Sequence, residues 1–122
     1  MGNGEGELRS PLGVCVDAVA EEVYVSENGN YRVSVFSTKG QFVRFIEGRF
    51  SYPRGISFDP HTGHVILAVS CDRALRVFDR QGTCVRSVGG RAVPLAHGPF
   101  RFPSDACAHP DTGHIFVVDQ GK

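Results

Sequence analysis

Tryptophan is absent from this 122-residue chain, and methionine occurs once. The first absence excludes repeat signatures that turn on a tryptophan. An excess of either charge is lacking too. Thirteen Lys and Arg balance thirteen Asp and Glu, which argues against a general nucleic-acid or membrane surface but leaves room for a local patch. The four cysteines, at 15, 71, 84 and 107, form no Cys-x-x-Cys and no zinc-ribbon or finger spacing. They read as reduced thiols inside a cell, so a cytoplasmic setting is expected. No apolar run approaches membrane-spanning length, and Met1–Ser10 is rich in Gly and Glu without a signal peptide's apolar core. Myristoylation asks for Ser or Thr where Gly6 stands. No window repeats apolar residues at helical spacing over three turns. There is no Gly-x-Ser-x-Gly and no phosphate-cradling loop, so no catalytic residue, cofactor or bound metal is expected.

What the chain has is itself, more than once. Shifted by 42 positions, Pro11–Gly48 lies on Pro53–Gly90 without a gap: Pro11 on Pro53, Gly13 on Gly55, Asp17 on Asp59, Val35-Phe36 on Val77-Phe78. A further shift of 50 brings Pro53 onto Pro103 and Thr62-Gly63-His64 onto Thr112-Gly113-His114. A fixed period of this size sets the architecture. Each copy reads as four short strands rich in Val, Ile, Phe and Tyr, bounded by Gly, Pro, Asn and Asp. They are Gly13–Asp17, Glu22–Ser26, Arg32–Ser37 and Phe42–Ile46, then Gly55–Asp59, His64–Ala68, Ala74–Asp79 and Cys84–Val88. About 40 residues holding four antiparallel strands is the size of a propeller blade. The expected fold is therefore all-β, an incomplete propeller. Residues 1–10 form an inter-blade connection, 11–48 blade one and 49–90 blade two. Residues 91–102 form an extended loop, and 103–122 the first two strands of a third blade. Val16, Val25, Val35, Phe36, Phe58, Leu67, Val77, Phe78 and Val117 are the expected core, and Cys15 and Cys107 hold equivalent, packing positions.

The motif Gly-x-Leu/Phe-x-x-Pro recurs at Gly6–Pro11, Gly48–Pro53 and Gly98–Pro103. Gly permits a bend, the apolar residue anchors the crossing, and Pro stiffens entry into the next strand. Glu27 and Arg32 flank the turn Asn28-Gly29-Asn30, where an ion pair would brace the hairpin. Cys71-Asp72-Arg73 stands in the same place one copy on, so neighbouring blades present different chemistry on one frame. The connection to the third copy is eight residues longer than the first and carries Arg91, His97 and Arg101. Two His-bearing hairpins, Asp59–His64 and His109–His114, invite a metal reading, but Pro, Asp, Thr and Gly make both of them tight turns.

Pro-x-Gly-Val-x-Val-Asp, Val-Tyr-Val-Ser-Glu and Asn30-x-Arg32-Val33-x-Val35-Phe36 together resemble the NHL repeat, whose blades form propellers. The resemblance implies a non-enzymatic protein-interaction module, in similar proteins often the recruiting part of a ubiquitin-ligase-type protein. The face expected to bind a partner carries Arg9, Asn30, Tyr31, Arg54, Arg73, Arg91, His97 and Arg101. RNA binding through those arginines is the alternative, opposed by Glu5, Glu7, Glu27, Glu47 and Asp72 in the same loops. A remnant of an amidating-lyase-like metal propeller is a second alternative. The expected partner is thus a protein, then RNA, with no membrane. Exposed blade faces imply self-association or the remainder of a longer propeller.

Overall fold

The computed structural model describes residues 8, 10–46, 48, 50–89, 100, 103–109, 111–112 and 114–119. Strand β1 spans Pro11–Asp17, β2 Glu22–Glu27, β3 Arg32–Ser37 and β4 Phe42–Ile46. Then come β5 Pro53–Asp59, β6 His64–Val69, β7 Ala74–Phe78, β8 Cys84–Gly89, β9 Pro103–Ala108 and β10 Ile115–Asp119. Sequential antiparallel pairing gives a four-stranded sheet β1-β2-β3-β4, a second β5-β6-β7-β8, and a two-stranded sheet of β9 and β10. These are β-propeller blades. Strands β1 and β5 begin at their prolines, two residues before the expected start, and a register shift follows each proline. Strand β7 stops at Phe78, because the Asp79 carboxylate turns back to accept the N–H groups of Gln81 and Thr83.

The sheets stack face to face, and the strand period of two decides which residues meet. Tyr24, Val33, Val35 and Ile46 of the first sheet pack on Ile56, Val65, Leu67 and Phe78 of the second. The second sheet's other face, with Ile66, Leu75 and Val77, packs on Ala106, Ile115 and Val117 of the third. Phe50 anchors the crossing as its motif implies: it is buried and meets the Phe78 ring edge-on at 5.6 Å. Inner strands approach closely at glycine. A Cβ on Gly13 would stand 2.7 Å from the Arg54 carbonyl, and one on Gly55 2.7 Å from the Asp105 Cα. Serine hydroxyls cross the same seams: Ser26 donates to the Arg54 carbonyl, Ser57 to that of Ala106 at 2.7 Å, and Ser70 to that of Pro103.

Val25, Val35, Leu67, Val77 and Phe78 are buried as expected, while Phe36, Phe58 and Val117 are half-buried. Val16 is a correction. It is 50% exposed, because Leu12, Val14 and Val16 line the face of β1 turned away from the second sheet, with no sheet beyond it among the described residues. Cys107 is a second correction. It shares the outward face of the third sheet with Phe116 and Val118 and is exposed, whereas Cys15 packs against the first core.

Candidate partner-binding face

The turns β2–β3 and β6–β7 emerge at one end of the stack, beside the residues that lead into β1 and β5. Main-chain bonds repeat from one blade to the next: Asn28 N–H donates to the Ser10 carbonyl at 3.0 Å, and Ser70 N–H to that of Tyr52 at 3.1 Å. Four non-glycine residues hold left-handed backbone here: Ser10 (φ 51°), Tyr31 (55°), Tyr52 (62°) and Arg73 (52°). That conformation costs a side-chain-bearing residue energy and persists only where its surroundings impose it. Between these turns lies a cleft of about 480 Å³ lined by Ser10, Asn28, Tyr31, Ser51, Tyr52 and Cys71.

The floor beneath is braced by Glu27, which is fully buried. It accepts from Arg32 Nε at 3.1 Å, from Asn30 Nδ2 at 2.9 Å, and from the Ser34 hydroxyl. The expected ion pair is therefore the centre of a buried network, and the guanidinium of Arg32 also lies 4.2 Å from the Phe45 ring centroid. One copy on, Val69 replaces Glu27, and the half-buried turn is tied instead by Arg76 and Asp72 at 3.7 Å.

Of the residues expected on this face, Tyr31 lines the cleft. Arg54 stands over the Tyr52 ring at 5.5 Å from its centroid. Arg73 flanks Cys71 in the left-handed position equivalent to Tyr31. Asn30 turns inward to Glu27 and serves the frame. Arg9, Arg91, His97 and Arg101 lie outside the described residues. Tyr52, Ser51 and Cys71 are the additions. Their signal in the sequence was position alone, since Tyr52 precedes Pro53 in the same place as Ser10 before Pro11.

The opposite rim is stitched electrostatically. Asp17 is buried, takes Arg80 Nε of the second blade at 2.8 Å, and caps its own turn by accepting the Val19 and Ala20 N–H groups. Burial pushes its carboxyl up, but the Arg80 and main-chain hydrogen bonds with the Arg80 charge outweigh this and hold it below the ordinary range. Burial, helped by the Asp17 charge, pushes the Cys15 thiol up to about 12, far from a reactive thiolate. In the third copy His109 takes the place of the capping Asp, and its Nδ1 accepts the Asp111 N–H at 3.2 Å. Among the described residues no three His, Cys, Asp or Glu side chains gather as a metal set.

A family model described as NHL repeat matches residues 8–36. Residues 8–36 are similar to an NHL repeat. They run from the strand entry at Pro11 through β3, with the Glu27 network inside. Among solved structures, the chain is similar to a chain of a nidogen/laminin complex, at 21% identity and a TM-score of 0.76 over 93% of its own length. It is also similar to the hydrazine synthase of Kuenenia stuttgartiensis, at 21% identity and 0.72 over 92%. It spans only 41% and 31% of those two chains. These likenesses show the fold alone, a propeller, across the described strands.

Proposed function

We propose that this chain is a non-enzymatic protein-interaction module whose partner docks on the turn face around Tyr31, Tyr52, Arg54, Cys71 and Arg73. The carrying observation is the cleft at the seam of the two repeats, walled by two tyrosines on strained, well-tied backbone. Tyrosine and arginine are the side chains that most often anchor protein interfaces, and a rigid frame lowers the ordering cost of binding. A similar fold standing in a complex of two named proteins supports the same reading. We place the module in the cytoplasm, on its four free thiols, and in the substrate-recruiting part of a ubiquitin-ligase-type protein, on the NHL resemblance.

Photo-crosslinking tests it. Crosslinkers at Tyr31 and Tyr52 should capture a protein that one at Lys39, on the opposite rim, does not. Tyr52→Ala with Arg73→Glu should abolish the adduct. Equal capture from both rims removes the reading. An adduct with single-stranded RNA whose affinity falls steeply with salt replaces it with nucleic-acid binding through Arg54, Arg73 and the tyrosine rings.

A further inference from the structure

The seam between the first two sheets ends in two rims of different charge. On the Asp17 rim, Arg44 pairs with Glu22 at 2.9 Å and Arg80 with Asp17 at 2.8 Å. The turn face is not balanced in this way. Both carboxylates of its turns are spent. Glu27 has no exposed surface and holds Arg32, Asn30 and Ser34, while Asp72 is held by Arg76 at 3.7 Å. Arg54 and Arg73 stand on the same face, both half-buried. The Arg54 guanidinium is steadied 5.5 Å from the Tyr52 ring centroid. Arg73 makes no ion pair among the described residues, and its left-handed backbone (φ 52°) sets the direction in which its side chain leaves the turn.

The cleft between these turns is rich in uncommitted donors. The Asn28 side-chain amide and the hydroxyls of Ser10 and Ser51 line it and make no hydrogen bond among the described residues, whereas Asn30 spends its amide on Glu27. No carboxylate lines the cleft. Asp105 stands across Gly55 in the third sheet, on the other side of β5, and its Oδ1 accepts the Ala106 N–H at 2.9 Å. Both walls belong to repeats whose four strands are all described, β1–β4 and β5–β8.

We propose, resting on the docking function above, that the partner presents an extended acidic segment to this cleft, with aspartate or glutamate side chains spaced along it. One carboxylate accepts from the Arg73 guanidinium, and a second meets Arg54 where the Tyr52 ring holds it. The Asn28 amide and the serine hydroxyls donate to the carbonyls of the segment between them. The tyrosine rings give its main chain an apolar surface to lie along while their hydroxyls stay in water. Hydrogen bonds to ionised groups are the stronger kind. On a chain of zero net charge, a local excess of cations and donors steers an acidic segment to this place rather than to the surface at large. A nucleic-acid strand fits less well, since affinity for it grows with the number of phosphates neutralised and the described face offers two arginines.

The probe is a labelled peptide of alternating glutamate and serine, read by fluorescence anisotropy against the whole chain beside the same peptide with glutamine for glutamate. Saturable one-to-one binding of the glutamate peptide is expected, weakened about tenfold or more in the glutamine peptide. Arg73→Asn removes the charge with a residue type that left-handed backbone accepts. It should weaken the glutamate peptide about fivefold and leave the glutamine peptide unchanged, the mark of a direct pair. Arg73→Lys should keep most of the affinity. Equal binding of the two peptides overturns the proposal, as does an equal loss for both with Arg73→Asn. A single-stranded oligouridylate that binds more tightly than the glutamate peptide, with a steep salt dependence, overturns it in favour of nucleic acid. Crosslinking separates this proposal from the docking function beneath it. A protein adduct at Tyr31 and Tyr52 that persists with Arg73→Asn and in excess glutamate peptide overturns the acidic partner and leaves docking in place.

Discussion

A carboxylate is worth most to this fold where it is hidden. Glu27 has no exposed surface and gathers Asn30, Arg32 and Ser34, so removing it strands a guanidinium and a buried hydroxyl together. Glu27→Ala should lower stability by about 3–5 kcal/mol, the scale for breaking a buried pair. A urea midpoint within error of the parent would show the network to be ornamental. Asp17 predicts a pH dependence. Its carboxyl titrates lower in the folded chain than in the unfolded one, so its stabilisation is present above the unfolded value of about 4 and is lost as pH falls through the folded value. Acid titration of the melting temperature should show a limb below about pH 4. Asp17→Asn, which keeps a cap for the turn, should flatten that limb and lower the plateau at neutral pH. An unchanged limb would assign the acid sensitivity elsewhere.

At the scale of strands, the close passes at Gly13 and Gly55 fix how near one inner strand lies to the next. Gly13→Ala meets the Arg54 carbonyl, and Gly55→Ala meets the backbone and side chain of Asp105. Each should cost about 1–3 kcal/mol, the range for overpacking. Adding Asp105→Gly to Gly55→Ala should recover part of the loss and no more, since the Cα of residue 105 stays at 2.7 Å. Complete recovery in denaturant titration would mean the side chain alone was the obstacle. Strands were the part of this protein most legible in sequence, because the 42-residue offset states each one twice and each turn residue confirms its twin. Faces were less legible. Val16 and Phe58 are equivalent in sequence, yet one meets solvent and the other a neighbouring sheet. Periodicity assigns a side and says nothing of what lies beyond it. Tyr31 could be found as a turn residue. Tyr52 could not, because a left-handed tyrosine carries no residue-type signal of the kind glycine does. The Arg80–Asp17 pair has no signal in the sequence, because Arg80 reaches across the seam to the blade before its own.

For the molecule as a whole, two apolar faces are turned outward: Leu12, Val14 and Val16 at one end of the stack, and Phe116 and Val118 at the other. Surfaces of this kind drive association. Sedimentation at about tens of micromolar should show mass rising with concentration. Val14→Lys or Val118→Lys should return the chain to monomer. A monomer that unfolds cooperatively at the highest concentration would show that these faces tolerate water.

The serine bonds across the seams have a consequence for descent. Ser26, Ser57 and Ser70 all end on main-chain carbonyls of the adjoining blade, groups that every amino acid possesses. A joint made this way does not inspect the side chains of its neighbour. A duplicated unit can therefore exchange its outward residues, as Asn30-Tyr31 and Asp72-Arg73 differ at equivalent sites, while remaining fastened to the unit beside it. The hydroxyls themselves are not repeated, since Ala68, Cys15 and Asn28 stand at the equivalent positions, so each seam is fastened at points of its own.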